Sequence, residues 1–148
     1  MTVRRQSACA ACDLPSQPRL RRWVAAALDG RAPPADITVR VVDETESRSL
    51  NRDYRGVDRP TNVLSFGYDP PPGRPTLVGD LVICAAVVAR EAAAQGKAAE
   101  AHWAHLVVHG TLHLLGYDHQ NEDDARVMET LEAQILAKLG IPDPYAVA

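Results

Sequence analysis

Between Ala98 and Leu115 the chain sets His102, His105, His109 and His113 into an otherwise apolar stretch. Projected at about 100° per residue, these four fall in one helical stripe roughly 80° wide. Trp103, Ala104, Leu106, Val107, Val108, Leu112, Leu114 and Leu115 cover most of the remaining circumference. A helix that is apolar nearly all round belongs in an interior. The fold must therefore bury this helix and still give its imidazoles partners, because an unpaired polar group in an interior costs about 2 kcal/mol or more.

A metal ion satisfies several such nitrogens at once. His109 and His113 are spaced i and i+4, so their rings reach the same point one turn apart. Gly116 allows a turn with positive φ. His119 then comes back over that point as a third ligand. Three nitrogens with a fourth position open are what catalytic zinc takes. The spacing H-x-x-x-H-x-x-G-x-x-H is that of metzincin peptidases, glycine included. Those enzymes carry a glutamate after the first histidine as general base, and here that position is Gly110. A glycine inside a helix signals close packing. The metal site is kept and the peptidase base is missing. His102 and His105, further back on the helix, read as core or supporting histidines and not as ligands.

The rest of the chain reads as α+β, a small mixed sheet of about four strands with about five helices and one zincin-like metal helix. Thr2–Cys9 is a weak strand. Pro18–Leu28 has helical spacing. Ile37, Val39 and Val41 alternate as in a half-buried strand. Glu44–Asp53 is a short helix and Asn62–Phe66 a strand. The apolar Leu77–Cys84 fits a central strand, and Cys84–Gln95 a helix. Glu122–Leu139 is the last helix, capped by Asn121, with Val127, Leu131, Ile135 and Leu139 as its expected buried face.

With 148 residues, a single domain over 1–148 is expected. The net charge of −3 argues against coating nucleic acid by bulk charge. No apolar run is long enough to span a bilayer and no signal peptide is evident, which points to the cytoplasm. The odd cysteine count does not suggest a disulfide framework. Cys9 and Cys12 read as incidental small residues and Cys84 as a buried hydrophobe.

Arg48, Arg52, Arg55 and Arg59 recur every three or four residues, which by itself suits an ordinary solvated helix face. Asp118 and Tyr117 neighbour the histidines as minor site candidates. Glu122–Asp124 fit helix capping. Asp80 suits a turn or a partner equally.

Three stretches together give a resemblance. "HGTLHLLGYDH", His109–His119, is similar to the signature of the YbeY family, bacterial metal-dependent endoribonucleases of ribosomal RNA maturation. "LNRDYRGVDRPTNVLSF", Leu50–Phe66, and "GDLVIC", Gly79–Cys84, resemble two further blocks of that family. The resemblance runs from about Val39 to Tyr145, with a weak match before it. It implies one zinc per chain on His109, His113 and His119, and a functional Arg55 facing the metal. Arg48, Arg52 and Arg59 become candidate phosphate contacts. It implies single-strand-specific cleavage in ribosomal RNA processing (16S rRNA 3′ end maturation) and ribosome quality control. The small ribosomal subunit and assembly factors would be its partners, with no membrane or DNA role. The nucleophile, a water or the RNA 2′-hydroxyl, stays open.

Two other readings compete. One is a metal-dependent peptidase or hydrolase, against which Gly110 stands. The other is a non-catalytic ribosome assembly factor holding a structural metal. His119→Ala separates the last from catalysis. An open catalytic site predicts a variant that stays folded and loses its metal, whereas a structural site predicts unfolding, read by thermal melts with metal analysis.

Overall fold

The computed structural model describes residues 1–9, 13–31, 34–73 and 76–146. In them the chain runs β1 (Thr2–Ser7), α1 (Gln17–Leu28), β2 (Ala35–Val42), α2 (Glu44–Arg55), β3 (Val63–Tyr68), β4 (Leu77–Cys84), α3 (Ala85–Gln95), α4 (Ala99–Leu114) and α5 (Glu122–Lys138). The sheet order is β1-β2-β4-β3, with β1, β2 and β4 parallel and β3 antiparallel on the edge. This is the expected α+β class with its four-stranded mixed sheet and five helices. β4 is an interior strand with a core cluster on each face, which is why its sequence is apolar on both.

Alternation along the strands sends residues to two cores. Ile37, Val39, Val41, Leu81 and Ile83 join the larger one, with Leu20, Trp23 and Val24 of α1 and Val107, Val108 and Leu112 of α4. Leu64, Val82, Cys84 and Val42 point the other way and pack with Leu50 of α2. The sheet is thus sandwiched, α4 on one face and α2 on the other.

α4 sits very close to the sheet. A Cβ at Gly110 would lie 2.9 Å from Leu81 and 3.1 Å from Ser65 Oγ, and one at Gly79 would lie 2.8 Å from Leu114. The Ser65 hydroxyl donates to the Gly110 carbonyl at 3.0 Å, tying β3 to the helix. The packing role expected of Gly110 is therefore visible.

Two expectations need correction. The buried face of α5 is Met128, Glu132, Ile135 and Leu136, while Val127 is exposed and Leu131 and Leu139 are half-buried. An apolar pattern excludes an acid such as Glu132 and so rotates the expected face toward Val127. Cys9 is disulfide-bonded and packs against the core, so it is not incidental. Cys12 lies outside the described residues, and Cys84 is buried with a free thiol.

Gly110→Ala is expected to destabilise the protein by about 1 kcal/mol in urea unfolding, as overpacking of about 1–3 kcal/mol outweighs the better helix propensity of alanine. Gly110→Glu should cost more, because it also forces a carboxylate against Leu81.

Candidate metal and RNA cleft

α4 continues to Leu114, and Gly116 follows with φ 100°, turning the chain back toward the helix. That turn brings His119 to His109 and His113. One ring nitrogen from each lies within 4.8 Å of the other two. The ring centroids are 5.2 to 5.5 Å apart. His109 and His113 are half-buried and His119 is exposed. Burial holds the His113 imidazole below its ordinary value, and the neighbouring His109, His119 and Arg55 lower it further, against a smaller pull from Asp118. A neutral ring is the form that binds a cation. Three imidazoles converging with one side open fit a zinc ion by donor type.

The rings open onto a cleft of about 800 Å³ at the β3 edge, where α2 and α4 meet from opposite faces of the sheet. Arg55, the last residue of α2, lines it beside Tyr54. Gly56 ends the helix at φ 72°. The return to β3 is pinned by side chains buried on α2. Asn51 Nδ2 donates to the Arg59 carbonyl at 2.8 Å. The Ser47 hydroxyl donates to the Thr61 carbonyl and accepts from the Thr61 N–H, both at 3.0 Å.

The other arginines sit differently. Arg48 makes a two-pronged pair with Asp58, at 2.7 and 3.0 Å. Arg52 pairs with Asp53 at 3.2 Å. Arg59 is exposed, and of the four only Arg55 lines the cleft. Among the described residues neither Arg55 nor Arg59 is in an ion pair. Asp118 lines the cleft, whereas Tyr117 packs against the core. Asp80 accepts from the Tyr68 hydroxyl at 2.7 Å, a cross-strand partner on β3.

Behind the rings lies a set of partners that the sequence did not reveal. Glu132 of α5 is wholly buried. It accepts from His109 Nδ1 and from the Tyr145 hydroxyl, each at 2.5 Å. His105 Nε2 donates to the Tyr145 oxygen at 3.1 Å. Burial alone would raise the Glu132 carboxyl, but the polar groups of His105, His109 and Tyr145 that face it outweigh burial and bring it down to about 2. Burial and Glu132 push the Tyr145 phenol up. His102 Nε2 donates to Glu91 at 2.9 Å, and Asn62 donates to the same oxygen at 3.0 Å. One signal was available: Glu132 falls at helical spacing from Met128, Ile135 and Leu136, an acid on an apolar face.

The family model "Endoribonuclease YbeY" matches residues 10–140, further toward the N-terminus than the three sequence blocks reach. Curated proteins named Endoribonuclease YbeY are similar throughout. That of Xanthomonas campestris pv. campestris (strain B100) is 62% identical over 138 residues, covering 90% of this chain and 86% of the relative. That of Stenotrophomonas maltophilia (strain R551-3) is 61% identical with the same coverage. A Thermotoga maritima protein solved in solution shares the fold at a TM-score of 0.58 and 21% identity, covering 99% of this chain and 100% of its own.

Burial lowers the His102 imidazole from its ordinary 6.5, against the opposing pull of Glu91. An unfolded chain then takes up that proton more readily than the folded one. The contribution of neutral His102 is present above about pH 6.5 and is lost as pH falls below it. The metal-free protein should show a lower urea midpoint at pH 5 than at pH 7.5, and His102→Gln should shrink that difference.

Proposed function

Because the chain belongs to the YbeY family of endoribonucleases, we propose that it is a zinc-dependent, single-strand-specific endoribonuclease. Its work is ribosomal RNA processing, namely 16S rRNA 3′ end maturation, and ribosome quality control. The family makes it an RNA-cleaving hydrolase; the metal, the RNA and the residue roles are this reading. The observation that carries it is the meeting of Arg55 with three imidazoles in one open cleft.

Cleavage of a phosphodiester builds negative charge on the phosphate oxygens in the transition state. The planar fork of Arg55 holds two of those oxygens and favours that charge. One zinc per chain on His109, His113 and His119 would supply Lewis acidity and lower the pKa of a bound water. Asp118 lines the same cleft and is the candidate to take up a proton. Tyr54 and Phe66 line it too, their rings in edge contact at 5.0 Å with Tyr54 69% exposed. Unpaired bases stack on such surfaces, while bases in a duplex are already stacked on one another, which supports the single-strand preference. Arg52 and Arg59 extend phosphate contact outside the cleft, and Arg48 does so on releasing Asp58.

The whole chain is read as one endoribonuclease domain acting in the cytoplasm on the small ribosomal subunit with its assembly factors. No helix among the described residues is long and apolar enough to cross a membrane. A peptidase reading lacks its glutamate, and the space at Gly110 is filled by Leu81 and Ser65.

Purified protein mixed with ribosomal RNA, with and without a chelator, tests the reading. Cutting should stop with chelator. Arg55→Ala should keep one zinc per chain and cut roughly 100-fold or more slowly. Zinc loss in that variant would remove the role given to Arg55. Intact RNA with one zinc bound to the unmodified protein would favour a non-catalytic assembly factor.

A further inference from the structure

We infer that Glu132 and Tyr145 are positioning residues that fix His109 with its proton on Nδ1 and its Nε2 turned to the cleft as a metal ligand. The inference rests on the proposed metal role of His109 but concerns residues outside the triad.

Taking Glu132 as a carboxylate sets the hydrogen-bond directions. Glu132 is wholly buried, and as a carboxylate it only accepts. The 2.5 Å contact therefore requires a proton on His109 Nδ1. The neutral ring then has its lone pair on Nε2. The Tyr145 hydroxyl spends its single proton on the other Glu132 oxygen, also at 2.5 Å. Its own oxygen is left to accept from His105 Nε2 at 3.1 Å. Each oxygen of the carboxylate is thereby held, one by the ring and one by the phenol.

The parts come from distant pieces of chain. His109 is in α4, Glu132 in α5, and Tyr145 in the segment after α5. Lys97 Nζ donates to the Pro144 carbonyl at 3.2 Å and so fastens that segment beside the start of α4. A carboxylate that orients a ligand imidazole raises its basicity, and loss of such a partner lowers metal affinity by about 10- to 100-fold. Neither His113 nor His119 has a side-chain partner of this kind among the described residues, so His109 is the anchored ligand of the three.

The test uses the full chain with zinc alone as probe, in competition with a chromophoric chelator. Glu132→Gln keeps shape and removes the acceptor charge. Its zinc affinity should fall about 10- to 100-fold. Tyr145→Phe should give a smaller fall in the same direction. Urea midpoints of the metal-free variants separate this from simple unfolding. The second readout needs no metal. Long-range proton–nitrogen correlation spectra at alkaline pH should show the His109 proton on Nδ1 in the unmodified protein and a population on Nε2 in Glu132→Gln. A proton on Nε2 in the unmodified protein, or unchanged zinc affinity in a folded Glu132→Gln, overturns the inference. If the unmodified protein binds no zinc, the metal reading fails instead, and the ring spectra still decide whether Glu132 sets the tautomer.

Discussion

Gly110 and Gly79 let α4 lie against β3 and β4 more closely than side chains at those positions would permit, and both the fold and the cleft are built on that contact. The sheet has helices on two faces, so a residue of α2 and one of α4 would ordinarily be kept apart by its thickness. They meet here because β3 is the edge strand. The end of α2 and the end of α4 come together around that edge, and Arg55 arrives opposite the histidines. The Ser65 hydroxyl on the Gly110 carbonyl locks the arrangement with a single polar contact inside an apolar seam.

The polar stripe of α4 is satisfied by elements other than the sheet. Glu91 of α3 takes His102, Tyr145 takes His105, and Glu132 of α5 takes His109. Two acids from two helices thus serve one row of imidazoles. Such pairs add little net stability over apolar replacements, but losing one partner leaves the other buried and uncompensated. Their contribution is to hold rings in fixed orientations, and the end of the stripe beyond His109 opens onto the cleft.

Much of this was legible in the sequence, for identifiable reasons. The buried helix announced itself because apolar residues surround the histidines. The convergence of His109, His113 and His119 followed from i, i+4 geometry and a glycine, all local effects. Strand β2 was legible from alternation, and the cap at Asn121 from its side chain, which accepts from the Asp124 N–H at 2.8 Å. Glu132 was not legible because its partner lies on another helix, and a pattern that assigns burial by hydropathy sends every acid outward. The same bias rotated the α5 face toward Val127. Arg55 could be singled out only by family resemblance, since its neighbours Arg52 and Arg48 share its spacing and its chemistry. Arg52 pairs with its sequence neighbour Asp53, and Arg48 reaches Asp58 beyond the end of α2, a contact that no periodicity contains.

The three converging histidines stand on unequal supports. His109 and His113 ride on a helix whose opposite face is core, so they cannot move apart without disturbing Val108 or Leu112. His119 is exposed and stands on a short turn after Gly116. For an ion bound there, the two helical rings form a seat that exists before the ion arrives, and the third closes over it. An ion bound there would be reached from solvent on the side of the turn. Exchange of metal in such a site is a local event on the time scale of loop motion, needing no opening of the core.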